Sequence, residues 1–499
     1  MTVTESGATA GWRQWAGLAI LMLPVLLISI TVTVLFFALP ALTAALEPTG
    51  TQQLWIVDIY AFLLAGLLIP MGNLGDRIGR RRLLLTGAVA FGLTSALAAY
   101  APSADLLIVA RGLQGAAAAT LMPPTLALIR VLFTDARRLQ LAIAVWAAVF
   151  TLGSVAGPIV GGWLLEAFWW GAVFLVNVPI MLLLLVLGRL LPEYRNPEPG
   201  RFDLLSALLV LLAALPIVYA VKKAAEQDHS PLTWGAAVAG LIFLAVFLGR
   251  QRALADPMLD LALFRRRDFA LALLAATLAV FALVGTFYFI TQYLMAVLGM
   301  SPLAAGLMTV PAALSSAAGS MLGAALTRRI RPGHVMGSGL ILGAGGFLLI
   351  ARLDGQSGLP LLFAALFLLG WGIGAVQALA STRVLAAAPP EKAGAASGLF
   401  ESATEFGQAL GAAVLGSVGM AVYRATLAGT MPPGVPEQSA AVAGETLGGA
   451  LAVAGELAGA AGTALAAAAR TAYVDGMQTA AYAGAATMLV MGFAVLRVR

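Results

Sequence analysis

The sequence predicts an all-α, polytopic membrane protein with fourteen spans, on three observations. Hydrophobic residues fill 61% of its 499 positions and charged residues only 10%, against roughly 45–50% and 25% in soluble domains. Apolar runs of around twenty residues, the length that crosses a bilayer as a helix, recur about fourteen times. The connectors left between them are short. A soluble or disordered chain is ruled out.

In order, the spans fall near 15–39, 53–71, 83–101, 105–128, 140–164, 170–190, 204–221, 233–249, 269–297, 303–326, 335–351, 359–380, 394–422 and 477–496. The first run is too long for a signal peptide and lacks a convincing cleavage site, so it is read as a span. An even number of spans places both termini on one side. Lys222, Lys223, Arg352, Arg424 and Arg470 then fall on the other side, Arg111 falls inside span 4, and every remaining Lys and Arg shares the side of the N-terminus. The positive-inside rule makes that side cytoplasmic. The net charge of +6 thus reads as a topology signal and not as a nucleic-acid surface. With no Cys, and with His229 and His334 in loops, thiolate metal sites and His-dependent catalysis lack their residues.

Basic clusters recur at matching places, Arg77, Arg80, Arg81 and Arg82 after span 2 and Arg328, Arg329 and Arg331 after span 10. A duplicated architecture explains them, as internal repeats build many transporter folds. The expected organisation is one six-helix half at 1–200, an extra pair of spans at 201–252 and a second half at 253–499. Within the second half, 424–475 is a long outer loop rich in Ala and Gly and broken by Pro432, Pro433 and Pro436. Its part from 439 to 473 suits either a short helical hairpin or a flexible loop.

Between spans 2 and 3 the chain reads Gly72-Asn73-Leu74-Gly75-Asp76-Arg77-Ile78-Gly79-Arg80-Arg81-Arg82. The glycines permit a tight turn and close helix approach, Asp76 is placed to accept a hydrogen bond, and Arg77 and Arg80 are available for ion pairs. Span 4 carries Arg111-Gly112-Leu113-Gln114-Gly115, a cation inside an apolar helix that must be paired or hydrated. Span 5 carries Gly153, Gly157, Pro158, Gly161 and Gly162, small residues at helical spacing that let backbones touch, with a proline that removes one helix bond.

The loop pattern Gly-x-x-x-Asp-Arg-x-Gly-Arg-Arg resembles the signature of the major facilitator superfamily, which implies two six-helix halves, here plus two extra spans. In that family Asp76 and Arg77 would latch the halves in the outward-facing state, and Arg111 would serve proton coupling. The span-5 glycines resemble the motif that marks the family's antiporters, where this face forms a hinge and seals the pathway. Leu54-Trp55-Ile56-Val57-Asp58-Ile59-Tyr60, Trp170 through Pro179 and Pro257 through Phe264 are similar to the fourteen-span drug:proton antiporters of the quaternary-ammonium, methyl-viologen and fluoroquinolone type. There is one departure. The family's first span reads Asp-x-Thr-Val before Ala-Leu-Pro, whereas this chain has Thr31-Val32-Thr33-Val34 before Ala38-Leu39-Pro40, so Thr31 replaces a carboxylate.

The acids left within spans are Asp58, Glu401 and Glu405. Glu401 and Glu405, four apart, share a helix face and are candidates for proton exchange or for holding cargo. Aromatic faces at Tyr60, Trp146, Phe150, Tyr288, Trp371 and Phe400 suit a lipophilic cation, and the amides Gln114, Gln292, Gln377 and Gln408 either line a cavity or bind neighbouring helices.

These readings lead to a proton-coupled exporter of amphiphilic, mostly cationic compounds. It needs no cofactor beyond the proton gradient, works among membrane lipids in the inner membrane, and acts as a monomer. Two alternatives remain: an exporter or flippase for a lipid or endogenous hydrophobic metabolite, and a membrane-embedded enzyme. The second lacks a catalytic constellation, and the missing phosphate-binding loop also argues against an ATP-driven pump.

Overall fold

The computed structural model describes residues 4–195, 203–225, 228, 230–254, 257–259, 261–354, 358–387, 393–457 and 459–497. His229 and Asp260 lie outside these. Among the described residues, fourteen helices are long and apolar enough to cross a membrane. They are Gly11–Leu46, Gly50–Ile78, Arg80–Ala99, Ala104–Leu132, Leu141–Ala167, Ala172–Leu190, Leu204–Ala225, Pro231–Ala253, Arg267–Val297, Pro302–Leu326, Pro332–Ile350, Leu359–Ala386, Gly398–Gly429 and Ala460–Arg497, numbered here as spans 1 to 14.

Several starts are set by local chemistry. The first backbone N–H groups of a helix have no partner within it, and a side-chain oxygen at the cap supplies one. Thr49 and Gln52 form a reciprocal capping box at span 2, and Ser103, Asp135, Ser230 and Ser301 cap spans 4, 5, 8 and 10. Span 4 is interrupted at Thr120–Leu121 and restarts with Pro123 and Pro124 in its new first turn, where a missing N–H costs no bond. Span 9 ends in a π-helical turn at Tyr293–Val297.

The packing repeats. In the first six spans, 1 lies on 5 and on 6, 2 on 4, 3 on 4 and 3 on 6. In the last six, 9 lies on 13 and on 14, 10 on 12, 11 on 12 and 11 on 14. Adding eight to each span number converts one set into the other. The contacts between the sets obey the same rule, since span 2 meets 13 while span 5 meets 10. Spans 7 and 8 pair with each other, and span 7 also lies on spans 2 and 13. The three meet around Phe62, Val218, Ala409 and Ala413.

Two sequence expectations change. The connection between spans 13 and 14 is shorter than 424–475, because span 13 stays helical through Gly429 and span 14 begins at Ala460. Alanine, the best helix former, fills the part of span 14 that precedes its apolar stretch, while span 13 runs on through Tyr423 to Gly429. Between them stand two short helices, Glu437–Glu445 and Leu447–Glu456, which is the hairpin reading. The second change is Lys222. Span 7 runs on to Ala225, and Lys222 is buried inside the bundle with no exposed side-chain surface, not in a loop.

At the other end of span 7, Asp203 accepts from the backbone N–H and hydroxyl of Ser206 and from Arg250 of span 8, at 2.9 Å. Partial burial opposes its charge, but the Ser206 and Arg250 bonds prevail and hold the carboxyl below its ordinary value. A depressed acid contributes stability above its unfolded value of about 3.9 and loses it as pH falls through the folded one. Asp203→Ala is therefore expected to cost about 1 kcal/mol at neutral pH, seen as a lower unfolding temperature in detergent. The difference from the unaltered protein shrinks once the pH drops below about 4.

Candidate functional site

A small cavity opens where span 2 faces span 13. Apolar walls from Val32, Phe36, Val57, Ala61, Val284, Ala409 and Ala412 surround four polar side chains, Asp58, Tyr60, Arg111 and Gln408. All four are candidates from the sequence, brought together from spans 2, 4 and 13. At about 20 Å³ it has room for little more than a water molecule, so it marks where apolar walls and polar groups converge between the halves, closed to anything of drug size.

Arg111 is fully enclosed, and among the described residues its fork is answered by neutral groups. Its Nε donates to the Ile56 carbonyl at 3.2 Å and Nη1 donates to Gln114 Oε1 at 2.6 Å. The guanidinium lies 4.5 Å from the centre of the Tyr60 ring and 5.8 Å from that of Phe174, a cation–π cage. From Gln114 the chain of contacts continues, as its Nε2 donates to Ser95 Oγ at 2.7 Å and Asn177 Nδ2 donates to the same oxygen at 3.3 Å. Thr31, bonded to the Leu27 carbonyl at 2.8 Å, lies 3.4 Å from Asn177 Oδ1. The position where the resembling family keeps a carboxylate thus stands at the far end of the relay that starts at Arg111. Ser95 gives no signal in the sequence, and Asn177 only its place in the family-like stretch Trp170 through Pro179.

Asp58 has a cation partner of its own. Lys222 Nζ donates to Oδ1 at 3.1 Å and stands 3.0 Å from Oδ2, with both side chains fully buried. The same ammonium lies 3.7 Å from the centre of the Trp55 ring. In the sequence Lys222 and Lys223 end an apolar run, a pattern that reads as a loop and gives no signal that Lys222 enters the bundle.

Glu405 stands one turn from Gln408 on span 13, with Gln408 in hydrogen-bonding reach of one of its oxygens. Among the described residues, its other oxygen, Oε2, and the Tyr60 hydroxyl have no hydrogen-bond partner. Glu401 sits one turn away and acts on Glu405 through its charge. Behind them, Gly407 and Gly411 press on the Thr277 and Phe281 carbonyls of span 9, where a Cβ has no room.

Span 5 uses its glycines on two faces. Gly153, Gly157 and Gly161 abut Ser29, Thr33 and Val34 of span 1, while Gly162 and Pro158 meet Leu303 and Gly306 of span 10. A Cβ on Gly162 would stand 2.5 Å from Leu303 Cα. At the end of the bundle remote from the termini, more contacts cross between the halves. Leu303 N donates to Glu166 Oε1 at 3.4 Å, Tyr288 donates to Gln53 at 3.0 Å, and Phe36 and Phe37 meet Phe287 edge-on.

The motif read as a loop is helical up to Ile78, and at that helix end Asp76 pairs with Arg80, the first residue of span 3, at 2.6 Å. Gly79 takes φ +110°, which favours glycine, and the Glu193 carboxylate fills the space beside it. Arg81 donates to the Leu191 carbonyl at 2.9 Å, so this junction is bound to the chain leaving span 6. Gly72 and Gly75 face Pro123 and Leu83.

The remaining candidates stand apart from the cavity. Trp146 donates to Thr125 at 3.1 Å and stacks on Phe150. Gln292 neighbours Tyr288, Trp371 packs beside Phe367 and against Gly319, Gln377 lies on span 12, and Phe400 packs on the main core.

A duplicated six-helix bundle with a polar-centred cavity between its halves defines a membrane transporter. Residues 21–412 match the Major Facilitator Superfamily, and the chain belongs to that family, so it is a transporter and not an enzyme. The multidrug efflux pump LfrA of Mycolicibacterium smegmatis is 47% identical over 463 residues, covering 93% of this chain and 92% of that protein. The methyl viologen resistance protein SmvA of Salmonella typhimurium is 35% identical over 458 residues, covering 91% and 92%. Among solved structures, an inward-facing, unoccupied bacterial homologue of the human lysosomal transporter Spinster shares the fold with TM-score 0.69 at 19% identity, over 98% of each chain.

Two outcomes follow from this geometry. Arg111→Lys keeps the charge but loses the fork that serves Ile56 and Gln114 together, and transport is expected to fall at least about tenfold, or 1.4 kcal/mol, in a protein that still folds. Flux per folded molecule checks it. Because the chain has no Cys, Glu166→Cys/Leu303→Cys places two thiols alone at the span 5–span 10 contact. A short bifunctional cross-linker is expected to arrest transport, and a cleavable version to restore it on reduction.

Proposed function

We propose that this transporter is a proton-coupled multidrug exporter that extrudes lipophilic, mostly cationic compounds across the cytoplasmic membrane. The observation that carries the reading is the seam between spans 2 and 13, where Gln408, Asp58, Tyr60 and Arg111 gather at one small apolar-walled cavity and Glu405 stands one turn from Gln408 on span 13. A carboxylate that binds a cation when ionised and releases it when protonated makes proton and cargo affinities reciprocal. Glu405, nearer the cavity through Gln408, is the carrier, with Glu401 tuning it and Arg111 fixing the electrostatics of the facing wall. Rocking of the two halves about the seam and the span 5–span 10 contact alternates access.

The relatives support the class of cargo, since LfrA is named a multidrug efflux pump and SmvA a methyl viologen resistance protein, and methyl viologen is a cation. The bias of Arg and Lys toward the side of the termini supports an inner-membrane protein with both termini in the cytoplasm. It is stronger once Lys222 is taken from the outer loops and placed in the bundle. A second reading, export of a lipid or neutral hydrophobic metabolite, is favoured by Thr31 in place of a carboxylate and by Lys222 neutralising Asp58.

Inside-out vesicles with an acidic lumen test both. Ethidium is expected to accumulate in the lumen and to stop doing so when the pH gradient is collapsed. Glu405→Gln is expected to reduce gradient-driven uptake at least about tenfold while leaving downhill exchange, and Glu401→Gln to reduce it less. Uptake of a fluorescent lipid or a neutral drug without uptake of any cation would overturn the first reading in favour of the second.

A further inference from the structure

We infer that Lys222 is a tethered occupant of an organic-cation subsite, formed by the Asp58 carboxylate and the Trp55 ring, which accepts the cationic group of cargo when Lys222 withdraws. The inference rests on the export reading and deepens it. Trp55 and Asp58 are three residues apart, so one face of span 2 presents a carboxylate beside an aromatic face. That pairing is what selects an alkylammonium or aromatic cation, by charge at one side and ring quadrupole at the other.

The ammonium of Lys222 fills the place as a ligand would, 3.0 Å from Oδ2 and 3.7 Å from the ring centre. It comes from span 7, one of the two spans outside the repeated packing pattern, which lies across the seam of spans 2 and 13. Asp58 itself borders the small cavity, so cargo that widens it when the halves move apart reaches the same carboxylate that the lysine holds. A buried ion pair is weak evidence for stability, since apolar replacements of such pairs are often neutral or stabilising. Its placement at the cavity wall instead sets the charge that incoming cargo meets. With Lys222 in place the subsite is neutral; with Lys222 displaced it is an anion beside an indole. Cationic cargo therefore binds by exchange with a side chain, and Lys222 sets how much positive charge a cargo must bring.

The test uses the full-length protein in lipid nanodiscs, with ethidium as the cationic probe and Nile red as the neutral one. Lys222→Met is expected to bind ethidium about tenfold more tightly, equal to 1.4 kcal/mol, with Nile red unchanged. The gain is expected to vanish in Lys222→Met/Asp58→Asn and in Lys222→Met/Trp55→Ala. Propylammonium is expected to displace ethidium from Lys222→Met and not from the unaltered protein. Should Lys222→Met fail to fold, Lys222→Cys stands in its place in this cysteine-free chain, and its reaction with an aminoethyl thiosulfonate, which restores an ammonium, is expected to reverse the gain. Unchanged or weaker ethidium binding in a folded variant with normal Nile red binding overturns the inference, as does a gain that survives loss of Asp58. If the unaltered protein still exports ethidium in vesicles while the gain is absent, the subsite alone fails. If it exports no cation, the export reading fails.

Discussion

A charge placed in hydrocarbon must be answered by the protein, because no water is there to do it. This chain meets that constraint at one seam. Asp58 is answered by Lys222, whose ammonium also lies over the Trp55 ring, Arg111 by Ile56, Gln114 and two rings, and Glu405 by Gln408 on its own helix. The first two pairings tie span 2 to spans 7 and 4, and the small-residue contacts around them bring the backbones close enough for short side chains to reach. What links these helices at the centre of the bundle is thus also what gives the cavity its polarity.

The fold was largely legible. Span number and approximate limits follow from hydropathy, and caps such as Thr49, Ser103 and Ser301 mark the starts because the same polar atoms must satisfy exposed N–H groups. Ends were less legible. Helix continues beyond the membrane-length stretch in spans 13 and 14, since helix propensity and hydropathy are separate properties, and hydropathy alone stops near Val422 and Met477.

The site was half legible. Asp58, Tyr60, Arg111 and Gln408 converge because charged or amphipathic side chains in a span have few places to go except the interior. Trp146, Trp371 and Gln377 carry no such compulsion, as an aromatic ring or an amide can be accommodated by packing or by a nearby carbonyl. Lys222 escaped notice because a lysine at the end of an apolar run reads as a loop residue, and only the direction of the helix face decides that it enters the bundle. Asn177 and Ser95 owe their role to partners 82 residues apart, which no local pattern records.

Span 5 has a consequence for motion. On the face toward span 1 its glycines leave notches, and Ser29, Thr33 and Val34 seat their side chains in them; on the face toward span 10, Gly162 and Pro158 stand directly against the backbone at Leu303 and Gly306. A side chain seated in a notch must leave it before the helices can shift, and packed interfaces change between discrete arrangements. The first contact therefore keys span 5 to its own half, and the second is where the two halves meet backbone to backbone.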